Sequence, residues 1–90
     1  MKLAVSPDAL FQEVEGEAVL LDLDQGTYFG LDEVGTRIWQ LIGAHGSARA
    51  VFDQMLEEFD VEPGRLEADL DDLVQALAEN GLVTLLPADK

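Results

Sequence analysis

The chain contains no cysteine. Disulfides, thiolate zinc sites, iron–sulfur clusters and a cysteine nucleophile are therefore excluded. Histidine occurs once, at His45, so side chains suited to catalysis are few. Cations are also scarce. Lys plus Arg total 5 against 19 Asp plus Glu, which gives a net charge of −14 and a pI near 4.1. Nucleic-acid affinity comes mainly from cations meeting phosphates, and anionic membrane surfaces attract basic clusters, so this balance argues against both partners. No run approaches the ~18 apolar residues of a membrane span, and no basic amino-terminal region leads into a long apolar stretch. Internal repeats and low-complexity runs are absent as well.

What is present is apolar content, 48% of 90 residues. A chain of this length buries roughly 60–65% of its unfolded surface, enough for one core. That content offsets the entropy of ordering without a metal or a disulfide. The expectation is one acidic, soluble, cytoplasmic domain over 5–86, with flexible tails at 1–4 and 87–90.

The apolar period divides the chain in two. Residues 10–14, 17–23 and 27–31 alternate in the manner of strands. Glu15-Gly16 makes one hairpin turn and Asp24-Gln25-Gly26 the next. The reading is an antiparallel meander in the order 1-2-3. In its second strand Val19, Leu21 and Leu23 share one face, and Ala18 and Leu20 share the other. One face is expected to pack on helices and the other to stay partly exposed.

From Asp32 onward the period is 3.6. Asp32 is a suitable N-cap, and Val34, Ile38, Leu41 and Ile42 then share a face beside Trp39. Gly43 to Gly46 ends that helix. Ser47 caps a second, with a stripe of Ala48, Val51, Phe52, Met55, Leu56 and Phe59. Residues 60–62 form a linker, and Pro63 suits the first turn of a third helix. There Leu66, Leu70, Leu73 and Leu77 step by one helical face. Asn80-Gly81 terminates it, and 82–86 reads as a short strand or extended tail closed by Pro87. The fold class is α+β and winged-helix-like: a three-stranded antiparallel N-terminal sheet, three helices and a short C-terminal strand or tail.

Candidate chemistry is thin. His45 lies in Gly43-Ala44-His45-Gly46, and no motif supplies the partner a general base needs. The reading as an exposed loop histidine prevails. Glu67, Asp69, Asp71, Asp72 and Glu79 on the third helix lack the loop spacing of a calcium site, and read as a solvated face. The helix–turn–helix invites a DNA-binding reading. Its third helix, however, carries Arg65 against those five carboxylates, and phosphates would be repelled. The site outweighs the architecture. Tyr28 and Phe29 point to opposite faces of the third strand. One ring is read as core. The other either pairs across the sheet with Leu20 or Ala18 or contacts a partner. The balance is tipped by the edge: in the order 1-2-3 the third strand is terminal, and it contains no Lys, Glu or Pro to blunt it. Such an edge is a candidate for receiving a strand by β-augmentation.

The ordered set Val19-Leu20-Leu21-Asp22-Leu23, Gly26-Thr27-Tyr28-Phe29-Gly30-Leu31-Asp32, Val34-Gly35, Ile38-Trp39 and Leu41 resembles the PqqD-like family. So does the ending Leu70…Leu73-Val74…Leu77…Asn80-Gly81-Leu82-Val83. The likeness spans about residues 5–86, and the Tyr-Phe-Gly-Leu-Asp form looks most like the stand-alone proteins of lasso-peptide biosynthesis. The resemblance implies a RiPP recognition element, a peptide chaperone that is not an enzyme and has neither cofactor nor metal. It implies that the leader of a ribosomally made precursor adds as a strand to the third strand, beside the third helix. The complex would be delivered to a leader peptidase and an ATP-dependent, macrolactam-forming cyclase. Thr27, Tyr28, Phe29, Gly30 and Leu31 match the receiving strand. On a helical wheel Val74 flanks the core stripe on one side, and Asp69, Asp72 and Ala76 flank it on the other. The apolar flank suits burial against helices, so Asp69, Asp72, Leu73 and Ala76 are assigned to the groove wall. No catalytic residue is assigned. The competing readings are a winged helix–turn–helix transcription regulator, a small enzyme around His45, and a structural subunit that self-associates through its open sheet edge.

Overall fold

Two glycine turns and three caps divide the chain into its elements. The computed structural model describes residues 2–86. Its order is β1 (Lys2–Val5), β2 (Ala9–Val14), β3 (Glu17–Asp22), β4 (Thr27–Leu31), α1 (Glu33–His45), α2 (Ala48–Glu58), α3 (Pro63–Glu79) and β5 (Val83–Leu86). The meander is antiparallel in the order β2-β3-β4, as its turn chemistry predicts. At the second turn the Asp22 carboxylate accepts from the amides of Asp24 and Gln25 at 3.0 and 3.4 Å. Gly26 completes that turn at φ 74°, a conformation side chains disfavour. Register sets Phe11 opposite Leu20 and Leu20 opposite Phe29, all on the face turned to the helices.

The helices start and stop on named groups. Asp32 Oδ1 accepts from the Gly35 amide at 2.7 Å, and Ser47 Oγ accepts from the Ala50 amide at 3.3 Å. Gly46, at φ 66°, closes α1 by donating to the Ile42 carbonyl. Each helix turns one apolar stripe inward. Ile38 and Ile42 of α1, Val51 and Met55 of α2, and Leu70, Val74 and Leu77 of α3 meet Leu20 in one core. Val74 is buried as its flank predicts, and Leu73 is half-buried.

One expectation is corrected. Residues 2–4 are not a free tail but belong to β1, which pairs with β5 in a second, two-stranded sheet, Leu3 opposite Leu85 and Val5 opposite Val83. The other side of β1 is held by the α1–α2 turn, where the Leu3 amide donates to the Gly46 carbonyl at 2.9 Å. The physical cause is Leu3, a side chain buried in the core. The C-terminal segment is accordingly a strand. Met1, the closing role read for Pro87 and the tail at 87–90 lie outside the described residues. Among the described residues no helix is long and apolar enough to cross a membrane.

α1 and α2 are also tied at the surface. Arg37 Nε and Nη2 donate to the two Glu58 oxygens at 2.6 Å each, and Gln54 adds a third bond at 2.8 Å. The Arg37 hydrogen bonds, then that of Gln54, hold the Glu58 carboxyl down from 4.5 to about 2. A carboxylate with a depressed pKa stabilises the fold above its unfolded value and loses that contribution as pH falls through the folded one. Wild type should therefore melt above Glu58→Gln near neutral pH, with the gap closing as pH falls from 4.5 to about 2. Melting curves of the two proteins across that range check this.

Candidate peptide-binding groove

β4 has one hydrogen-bonded neighbour, β3, so its other edge offers backbone N–H and C=O groups. Because α1 follows β4 after Asp32 alone, the first turns of that helix lie against the same edge. α3 closes the far side. The result is a groove of about 540 Å³ lined by Phe29, Gly30, Leu31, Asp32, Val34, Gly35, Ile38, Asp69 and Leu73. Its floor is apolar: Leu31 and Ile38 are buried, and Phe29 and Leu73 are half-buried. Val34 remains exposed at the start of α1. Gly35 permits the close approach of α1 to β4, since a Cβ there would lie 3.2 Å from Asp32 Oδ1 and 3.3 Å from Leu31 Cδ2.

Two carboxylates stand in the lining. Asp32 is engaged as the α1 cap. Asp69 faces Arg65 of the preceding turn at 3.8 Å, with both side chains exposed. An exposed pair of that spacing contributes little, so Asp69 can exchange Arg65 for another cation at small cost.

The sequence-assigned residues distribute as follows. Phe29, Gly30, Leu31, Asp69 and Leu73 come together in the groove. Thr27 and Tyr28 lie on the same strand outside the lining, and Asp72 and Ala76 lie further along α3, exposed and half-buried respectively. Phe29 is the ring that packs on the core. Tyr28 is 77% exposed on the opposite face, and its cross-strand partner is Leu21 rather than Leu20 or Ala18. Of the other lining residues, Asp32, Val34 and Ile38 are ones the sequence assigns to the helix cap and core stripe, and Gly35 is one it gives no site role. The available signal was that Val34 follows the strand edge by three residues.

A second groove, about 450 Å³, runs along the other flank of α3 between Phe52 and Arg49 of α2 and Leu70, Asp71 and Val74. It is walled by helices and offers no free strand edge. His45 is exposed at the end of α1. Among the described residues no group of three or more His, Cys, Asp or Glu is placed to hold a metal ion.

Comparison with known proteins gives consistent likenesses. Residues 17–83 match the family model for coenzyme PQQ synthesis protein D (PqqD). A search of curated proteins returns no significant match. Among solved structures, TbiB1 in complex with the TbiA(beta) leader peptide is 36% identical, covering 98% of this chain and 100% of that one, with a TM-score of 0.85. Lasso peptide synthetase B1 complexed with the leader peptide is 27% identical, covering 94% and 100%, with a TM-score of 0.81.

Proposed function

Since the chain belongs to the PqqD family, we propose that it is a RiPP recognition element: a non-catalytic chaperone that binds the leader of a ribosomally synthesised precursor peptide. The observation that carries this reading is the unpaired β4 edge facing an apolar groove. The likeness to two proteins solved with leader peptides supports it. The leader adds as a strand to Thr27–Leu31, where backbone groups supply affinity and alternate side chains supply specificity. An apolar leader side chain enters beside Phe29, Leu31 and Leu73. Asp69 and Leu73 form the α3 wall, and Asp72 and Ala76, on the same flank beside the lining, meet leader residues outside the groove. The bound precursor is passed to a leader peptidase and an ATP-dependent macrolactam-forming cyclase. The runner-up, a DNA-binding regulator, is disfavoured by α3 itself, where Arg65 stands against five carboxylates.

Titration of the chain with a labelled synthetic leader, read by fluorescence anisotropy, tests the reading. Saturable binding is expected, and its absence contradicts the proposal. The leader segment nearest Asp69 and Asp72 should be neutral to basic. Affinity should then fall about two- to fivefold from low to high salt, because exposed ion pairs contribute about 0.2–1 kcal/mol each and are screened. A salt-independent affinity removes the role given to those carboxylates.

A further inference from the structure

Gly30 lies inside β4, where nothing in the free chain calls for glycine. A glycine within a strand weakens it, because it loses more backbone freedom on folding and has no side chain to pack. The usual reasons to keep one are missing. Its φ is not positive, and a Cβ at this position would meet nothing within 4 Å. Gly35, by contrast, is required by its closeness to Leu31 and Asp32. A strand glycine with neither need marks a place where another chain comes close.

The register shows which side is approached. Gly30 stands opposite Val19, on the face of the sheet turned away from the helices. On that face a hollow of about 700 Å³ lies over Val14, Val19 and Gly30, bordered by Glu15, Glu17 and Asp32. Val14 and Val19 are 70% and 44% exposed, so the floor of the hollow is apolar and open. Its rim is acidic and is not neutralised from within the sheet. Arg37, Arg49 and Arg65 pair with Glu58, Asp53 and Asp69, and none of the described cations belongs to β2, β3 or β4.

Strand addition brings one leader residue opposite Gly30. Residues paired across a sheet point to the same face, so that side chain stands on the outer face. Neighbouring strands are ~4.8 Å apart, which puts Val19 ~10 Å from its Cα, with position 30 between them. A Cβ at position 30 would stand in the way, whereas glycine lets a long side chain cross β4 directly. An unbranched aliphatic stem then covers Gly30 and Val19. Its cationic end arrives at Glu17 and Asp32, which flank the last pair of the β3–β4 ladder, Ala18 and Leu31. We infer that the hollow over Gly30 is a second leader subsite, which takes a Lys or Arg side chain of the leader, and that Gly30 is the residue that admits it. This rests on strand addition at β4. The leader is then gripped on both faces at neighbouring positions, by an apolar side chain toward the helices and a basic one over the sheet.

The test is a scan of the labelled synthetic leader in which each position in turn is Lys, norleucine or Ala. Each peptide is titrated at low salt onto wild type, Gly30→Val and Glu17→Gln. Norleucine keeps the stem of lysine without its charge. On wild type, one position should favour Lys over norleucine by about threefold or more, the size expected of one or two exposed ion pairs. Glu17→Gln should reduce that preference and leave the preference for norleucine over Ala, which comes from the stem. Gly30→Val should weaken the Lys peptide about tenfold and the Ala peptide by no more than about twofold, since only the long side chain crosses position 30. The variant should also melt at or above wild type, because valine suits a strand better than glycine. A lower melting temperature shows that the fold itself needs the glycine and overturns the proposal. So does a preference for Lys that either substitution leaves intact. Leader binding with no position that favours Lys overturns this subsite alone, whereas a wild type that binds no leader overturns the peptide-binding reading and the subsite with it.

Discussion

Leu77→Ala is expected to lower stability by about 2–5 kcal/mol, the range for emptying a buried leucine site. Leu77 has no exposed surface and sits on the inward stripe of α3 against the shared core. A chain of 90 residues has about 5–13 kcal/mol in total at roughly 0.05–0.15 kcal/mol per residue. This one truncation therefore removes a large fraction and leaves a measurable unfolded population. Urea denaturation should show a lower midpoint with an unchanged slope. Asp72, exposed on the same helix, provides the contrast. Asp72→Ala should change stability by no more than about 0.5 kcal/mol. A wild-type midpoint for Leu77→Ala contradicts the packing of α3. A large loss for Asp72→Ala, with peptide binding intact, contradicts the assignment of its faces.

Most of the architecture was legible because its signals are local. Gly16 and Gly26 mark the turns, Asp32 and Ser47 mark helix starts, and the leucines of α3 mark its buried stripe. β1 was not legible. Lys2-Leu3-Ala4-Val5 is four residues long, and its partner Val83–Leu86 lies at the opposite end of the chain. Nothing within a short window distinguishes such a segment from a tail. The groove divides along the same line. β4 could be read as an open edge from its lack of charge and proline, and α3 contributes Asp69 and Leu73. The contribution of α1 was hidden by double use: Asp32 is a cap and also a wall, and Ile38 is core and also floor. Position on a wheel shows which side a residue faces but not where along the helix the groove ends. Ala76 lies nearly a turn beyond Leu73, and Asp72, between Asp69 and Leu73 in sequence, is turned outward and exposed, so both share the flank of Asp69 without lining the groove.

The central claim is that a leader is held through its backbone by β4. Successive amides of a strand point to opposite sides, so only alternate leader amides meet the Thr27–Leu31 edge. N-methylation removes one donor and adds a clash while leaving every side chain in place. A net hydrogen bond contributes about 0.5–1.5 kcal/mol, and ~1.4 kcal/mol is tenfold in affinity. The most direct measurement is therefore an N-methyl scan across the bound leader segment, read as dissociation constants. Strand addition requires alternation, with every second position losing about tenfold or more once the clash is included, and smaller losses between them. Losses clustered at a helical period, or a scan with no period, would contradict strand addition even in a protein that binds its leader tightly.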